Sequence, residues 1–267
     1  MRRLGAGVLL TAVLALAPLA ASAGMADRVG ATFAVIAEEL IEAFQPVEGL
    51  VVAVDGGSMF LDLGEEAGVQ PGQELTVFRR GEVFRHSFTG KALGRYEEVL
   101  GHAQITRVEP KFSEAAFVPL GDRPAPRPED GVRITRGPIK VAITPPLDLG
   151  TGDGDLRRVP YLIATVLDRS RRFQVVDPLA VADMFVDGSV RVEEVLARPE
   201  RAVRIAKNLD VAGWLVPIVL ERRGVLYLDV TWISAVTGTP LFSRRQALLP
   251  ASAAEEQRFP WEPRIED

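Results

Sequence analysis

The chain has 267 residues, of which 47% are hydrophobic and 25% charged, with a formal charge of -5 and a pI near 5.3. That composition can fill a core in one or two domains, and without a basic field it excludes a general nucleic-acid binder. Cysteine is absent and His86 and His102 are the only histidines, which excludes disulfides, thiolate nucleophiles, cysteine zinc sites and a lipidated cysteine, and leaves little for a histidine metal site or triad.

In chain order, Arg2 and Arg3 precede an uncharged apolar run over residues 4–20, and Ala21-Ser22-Ala23 supplies a small-x-small cleavage pattern. These read as a secretory signal peptide cut after Ala23, which sends the mature chain to the periplasm. A membrane anchor is the competing reading, and the short run containing Pro18 fits it less well. No later segment is long and apolar enough to span a bilayer. Val29, Phe33, Ile36, Ala37, Leu40 and Phe44 recur at spacings of three and four, so residues 27–44 are expected to form an amphipathic helix ended by Pro46. Two apolar runs, 49–54 and 59–63, flank Asp55-Gly56-Gly57-Ser58 and predict a β-hairpin. Short strands follow at 74–79, 101–108 and 115–118, with turns at Pro71-Gly72 and Arg80-Gly81, and suggest a small β-barrel or sandwich. Pro119, Pro124, Pro126 and Pro128 mark residues 119–130 as a linker or a long barrel connection, open to proteolysis near Arg123 or Arg127. Residues 132–135 are a further strand.

After Gly137 the pattern changes. Strands at 139–143 and 173–177 bracket a helix at 156–168. Pro178 and Pro199 each open a helix, and strands at 212–221, 225–234 and 240–249 follow with turns at Arg223-Gly224 and Thr237-Gly238-Thr239. The fold class expected is α+β. A helix plus β-barrel domain occupies 24–136, and an α/β domain with a mixed sheet and helices mainly on one face occupies 137–249. A tail at 250–267 is expected to be disordered.

Chemistry is sparse. Gly150, Gly152 and Gly154 lie between a strand and a helix, but G-x-G-x-G is not the dinucleotide fingerprint, and Asp148, Asp153 and Asp155 would repel a pyrophosphate. Asp153 and Asp155 leave a cation open, although the loop lacks the closing glutamate of an EF-hand. Gly90-Lys91 fails the phosphate-loop pattern at Arg85 and Ala92 and reads as a β-turn with an exposed lysine. Ser58 and Ser189 are not in nucleophile elbows. Adjacent acids such as Glu65 with Glu66 and Glu193 with Glu194 point apart and make no acid–base pair. No catalytic, cofactor or metal residue is assigned. Arginine doublets at Arg157/Arg158, Arg171/Arg172, Arg222/Arg223 and Arg244/Arg245 are either ordinary solvated arginines or, on a shared face, a basic patch for an anionic partner. Arg171, Arg172, Arg222 and Arg223 are the partner-binding candidates of that patch. Phe259 and Trp261, set between prolines, are candidates for an extended docking tail.

Residues 46–136 resemble the C-terminal domain of flagellar assembly protein T. The resemblance is carried by Gly49-Leu50-Val51 with Val54, Leu61-Asp62-Leu63-Gly64, Gly68-Val69-Gln70-Pro71-Gly72-Gln73-Glu74-Leu75-Thr76-Val77, Thr89-Gly90-Lys91-Ala92-Leu93-Gly94, and the strand that follows. The resemblance implies an SH3-like barrel. Residues 137–249 are similar to the α/β domain shared by the middle domain of that protein, the N-terminal domain of Tol translocation protein B and the curli secretion channel family. Lys140-Val141-Ala142-Ile143 with Pro145, Phe173-Gln174-Val175-Val176-Asp177, residues 206–217 and Val236-Thr237-Gly238 carry this second similarity. In the flagellar protein the α/β domain comes first, and here the order is reversed. Together the resemblances imply a non-enzymatic periplasmic adaptor of an envelope machine, with envelope or flagellar basal-body proteins as partners and self-association open. An accessory factor of outer-membrane secretion and a hydrolase with an unrecognised site are the alternatives.

Overall fold

The computed structural model describes residues 24–150, 154–186, 188 and 190–250. The expected signal peptide, Asp153, Ser189, Phe259 and Trp261 lie outside the described residues. Helix α1 (Met25–Ala43) buries Val29, Phe33, Ile36, Ala37 and Leu40 along one stripe, and Asp27 in its first turn suits the helix dipole. Strands β1 (Val47–Asp55) and β2 (Ser58–Leu61) meet at Gly56 and Gly57, whose φ angles of 56° and 91° belong to a two-residue turn that strains any side chain. Strands β3 (Glu74–Arg85), β4 (Ala92–Val108), β5 (Ser113–Pro119) and β6 (Gly131–Ile134) complete a closed barrel in the order β1-β2-β5-β4-β3-β6. β6 seals it by pairing antiparallel with both β1 and β3, so the body of the barrel has no open edge. Met59, Leu61, Leu75, Val77, Leu100 and Ile105 fill the interior.

The proline-rich segment joins β5 to β6 and is therefore a barrel connection. A cut there would fall within the barrel, between β5 and β6, and not between the barrel and the α/β layer. Asp130 pins the segment. Its buried carboxylate accepts from Arg79 Nε at 2.8 Å, Arg79 Nη2 at 2.7 Å and the Arg127 N–H at 2.8 Å.

The second sheet contains β7 (Ile139–Ile143), β8 (Leu147–Asp148), β9 (Phe173–Val175), β10 (Gly213–Arg222), β11 (Val225–Ser234) and β12 (Pro240–Ala247). Its order is β12-β11-β10-β7-β9, with β8 beside β10. β7 is parallel to β9 and β10, while β10, β11 and β12 are antiparallel. Helix α2 (Val159–Ser170) shares one face with α1, and α3 (Pro178–Val186), α4 (Val192–Ala197) and α5 (Pro199–Leu209) contribute to the other. Helices therefore cover both faces, contrary to the expectation of one. Val141 and Ile143 point to α1 and α2, while Ala142, Trp214 and Val216 point to the opposite helices. The chain also groups differently from the expected helix-plus-barrel unit. α1 packs on α2, β11 and β12, and its Gly30 lets Leu162 approach so closely that an added Cβ would sit 2.9 Å from Cδ1. The barrel is thus inserted between the first helix and the first strand of the α/β layer. No helix among the described residues is long and apolar enough to cross a membrane.

Candidate functional site: a projecting aromatic arm

The four partner-binding arginines within the described residues are not brought together. Arg171 ends α2 in the left-handed region (φ 56°) and is exposed. Arg172 is only 7% exposed. Its Nε donates to the Phe44 carbonyl at 2.6 Å and its Nη1 to the Gly137 carbonyl at 2.8 Å, and burial pushes its pKa down. It is a bracket between α1, the barrel exit and β9, and it is not presented to a partner. Arg222 and Arg223 are exposed at the β10–β11 turn. β9 and β10 run parallel through β7, so a doublet before β9 and one after β10 lie at opposite ends of the sheet. The other doublets are engaged by carboxylates, Arg157 by Asp155, Arg158 by Asp27, Arg244 by Glu39 and Arg245 by Asp229. Hydrogen bonds from the Arg157 guanidinium and N–H hold Asp155 down to about 2, so that carboxylate already serves Arg157.

The barrel meets the sheet through a polar cluster. Ser234 Oγ donates to Glu74 Oε2 at 2.8 Å, His102 Nδ1 lies 3.7 Å from Glu74 Oε1, and Gln104 Nε2 donates to Thr239 Oγ1 at 3.1 Å. Serine, histidine and carboxylate are present, but in an order that does not activate a nucleophile. A triad needs imidazole next to the hydroxyl. Here Ser234 gives its only proton to Glu74 and accepts from the Val236 and Thr237 N–H groups at 3.0 and 3.1 Å, which fixes the β11–β12 turn. The cavity beside Glu74 holds about 30 Å³, room for a water and not for a substrate.

Burial pushes Glu74 up, opposed by hydrogen bonds from Ser234 and Thr237, and burial pushes His102 down. The imidazole is therefore neutral at neutral pH, and the 3.7 Å approach is not an ion pair. A carboxyl whose folded pKa is raised stabilises the fold less as pH rises through that pKa. Glu74→Gln is thus expected to raise the melting temperature at about pH 7.5, with the gain shrinking as pH falls toward the ordinary carboxylate value. Protonation of His102 below its ordinary value near 6.5 costs the parent less, because the Glu74 carboxylate stands 3.7 Å from Nδ1, and so shrinks the gain in the same direction. Scanning fluorimetry across this range checks the trend, and a gain that grows on acidification contradicts it.

The most exposed apolar feature lies at the other end of β3 and β4. β6 pairs with only Thr76–Phe78 of β3, and β5 only with the part of β4 from Gly101 onward. Beyond those residues β3 and β4 pair with each other as far as Arg85 and Ala92, forming a two-stranded arm. The sequence predicts a strand ending at 79, a turn at Arg80-Gly81 and a strand starting at 101. Gly81 instead sits in a register shift between Arg80 and Val83, a bulge in a continuing strand. The signal that could have found the arm is the β-forming Val83, Phe84 and Tyr96 on either side of Gly90.

The arm base is stapled by ion pairs Arg79–Asp130, Arg80–Glu48, Arg123–Glu98 and Arg133–Glu97. Farther out, Phe84 and Tyr96 stack edge-on across the strands with centroids 5.6 Å apart. Phe84, Leu93 and Tyr96 are at least half exposed, and Phe88 at the tip is 93% exposed. The tip is organised nonetheless. The His86 N–H donates to the Lys91 carbonyl and the Gly90 N–H to the His86 carbonyl, both at 2.9 Å. His86 Nδ1 accepts from the Phe88 and Thr89 N–H groups, and Arg85 Nη1 donates to the Gly90 carbonyl. Gly90, at φ 66°, makes the turn.

No family model matches the chain. A curated protein of Aquifex aeolicus (strain VF5), described as uncharacterized, is 31% identical over 107 residues, covering 40% of this chain and 21% of that protein. The chain thus spans about a fifth of the length of the curated relative it matches. Among solved structures, the LpoB C-terminal domain from Escherichia coli is similar with a TM-score of 0.35 and 13% identity, over 43% of this chain and 85% of that one. The NMR structure of E. coli LpoB gives 0.36 and 14%, over 42% and 56% of the two chains. Lipoprotein GNA1162 from Neisseria meningitidis gives 0.32 and 16%, over 41% and 79%. At these values no role passes from these proteins to this chain.

Proposed function

We propose that the chain is a non-enzymatic adaptor of the bacterial cell envelope, working in the periplasm and engaging another envelope component through the β3–β4 arm. The observation that carries this reading is the arm itself, an ordered hairpin that leaves Phe84, Phe88, Leu93 and Tyr96 in solvent. Exposed apolar groups gathered on one projection mark a contact surface, and a hairpin tip ordered by its own hydrogen bonds loses little entropy on docking. The junction cluster supports a non-catalytic role, because Ser234 and Glu74 are engaged in joining barrel to sheet. Export rests on the signal peptide read at residues 1–23. The finer reading, an SH3-like barrel protein of a flagellar basal-body ring, rests on the glycine and strand pattern from Gly49 to Val108.

The test is made in the protein's own bacterium. A photo-crosslinking residue at Phe88 is expected to capture an envelope component, and a shortened hairpin lacking residues 82–95 is expected to fold yet fail to complement a deletion. Full complementation by the shortened chain would overturn the adaptor reading. Loss of motility on deletion supports the flagellar assignment. A secretion defect with normal motility would move it to an accessory factor of outer-membrane secretion.

A further inference from the structure

The charges of the arm are divided along its length. At the base, Arg79, Arg80, Glu97 and Glu98 are all paired with carboxylates or arginines of the barrel and its connections. Distally, Arg85, Lys91 and Arg95 make no ion pair among the described residues, and Glu82 is the only acid between Arg80 and Glu97. The outer arm is therefore basic on a chain of net charge -5. The same stretch carries Phe84, Phe88, Leu93 and Tyr96 in solvent.

The shape favours a fluid layer over a protein surface. The apolar groups sit at the end and along the sides of a finger, so a rigid partner would need a matching socket, whereas lipid closes around any outline. From Phe84 to the tip the arm rises roughly 10 Å at ~3.3 Å per residue, close to the ~5–10 Å depth of interfacial elements. Arginine and lysine behind a buried aromatic can keep their heads among phosphates while their stems lie along apolar surface.

We infer that the arm is a membrane-surface anchor. Phe88 and Leu93 enter the headgroup boundary of a bilayer carrying anionic phospholipid, Phe84 and Tyr96 sit at its edge, and Arg85, Lys91 and Arg95 hold lipid phosphates. This rests on the adaptor reading and names what the arm engages.

Flotation with vesicles tests it, using protein from Gly24 onward, since the apolar run before it would itself partition into lipid. The protein is expected to float with phosphatidylcholine vesicles containing roughly 30% phosphatidylglycerol, to bind pure phosphatidylcholine about tenfold less well, and to be released as salt rises. Phe88→Asp is expected to weaken binding about tenfold or more, and Lys91→Glu with Arg95→Glu similarly. These side chains are exposed, so the variants are expected to melt like the parent, and Phe88→Trp is expected to be quenched by brominated lipid. Absence of binding, or variants that float as well as the parent, would overturn the inference. If the parent ignores vesicles while Phe88 still crosslinks to an envelope protein in cells, the lipid assignment fails and the adaptor reading stands. Failure of the adaptor reading shows separately, as complementation by the shortened arm.

Discussion

Arg172→Ala is expected to lower the free energy of unfolding by about 4 kcal/mol. The side chain donates two charge-assisted hydrogen bonds, to the Phe44 carbonyl at the end of α1 and to the Gly137 carbonyl where the chain leaves the barrel. Such bonds contribute about 1.5–3 kcal/mol each, and the half-buried Phe44 and exposed Gly137 carbonyls would turn to water in their place. The guanidinium is not fully matched, because Nη2 has no hydrogen-bond partner among the described residues. Arg172→Met keeps much of the volume and removes the buried charge, so its loss is expected to be smaller than that of alanine. Arg222→Ala, at an exposed turn, is expected to stay within about 0.5 kcal/mol of the parent. Urea unfolding followed by circular dichroism measures all three, and a loss at Arg172 no larger than at Arg222 would contradict the bracket.

Trp232→Ala is expected to cost about 4 kcal/mol. Its ring is 1% exposed and lies against Phe44 and Phe173 with centroids 4.4 and 5.6 Å away. Those two rings stack edge-on with each other at 5.8 Å. The cluster therefore ties the end of α1, the edge strand β9 and the inner strand β11 together. The indole also covers Gly213, where a Cβ would come within 2.4 Å of it, so the glycine and the tryptophan require one another. Alanine would leave a cavity between three segments that cannot all close at once, and would forfeit the aromatic contacts. Trp232→Phe keeps part of that contact and is expected to cost less than half as much. Denaturant titration followed by circular dichroism is the measurement, and a loss under about 1 kcal/mol at Trp232→Ala would show that the ring is not a structural centre.

The elements that were legible are those governed by short-range rules. The Gly56-Gly57 hairpin, the apolar stripe of α1, the opening of α5 at Pro199 and the strand β11 follow from turn chemistry and periodicity. The continuous apolar run Val141-Ala142-Ile143 also carried a signal for helices on both faces, since a one-sided strand would alternate. Other features were hidden behind ordinary local cues. Arg80-Gly81 looks like a turn because glycine usually punctuates a strand, yet here pairing with β4 carries the strand through. Arg171 and Arg172 are adjacent and identical in type, but the left-handed turn at Arg171 sends one side chain to solvent and the next inside.

From the sequence by itself came the α+β class, the positions of most strands and helices, and the export signal as an expectation. Only the tertiary structure decided that α1 belongs with the second sheet, that the proline-rich segment lies within the barrel, that Glu74 and Ser234 meet at the junction, and that the cations of the outer arm make no ion pair among the described residues. The division has a physical cause. Periodicity, caps and turns act over a few residues and leave their mark in local spacing, whereas burial and pairing depend on groups far apart in the chain. Arg172 and Phe44 are separated by 128 positions and Ser234 and Glu74 by 160, and nothing local to either member encodes its partner.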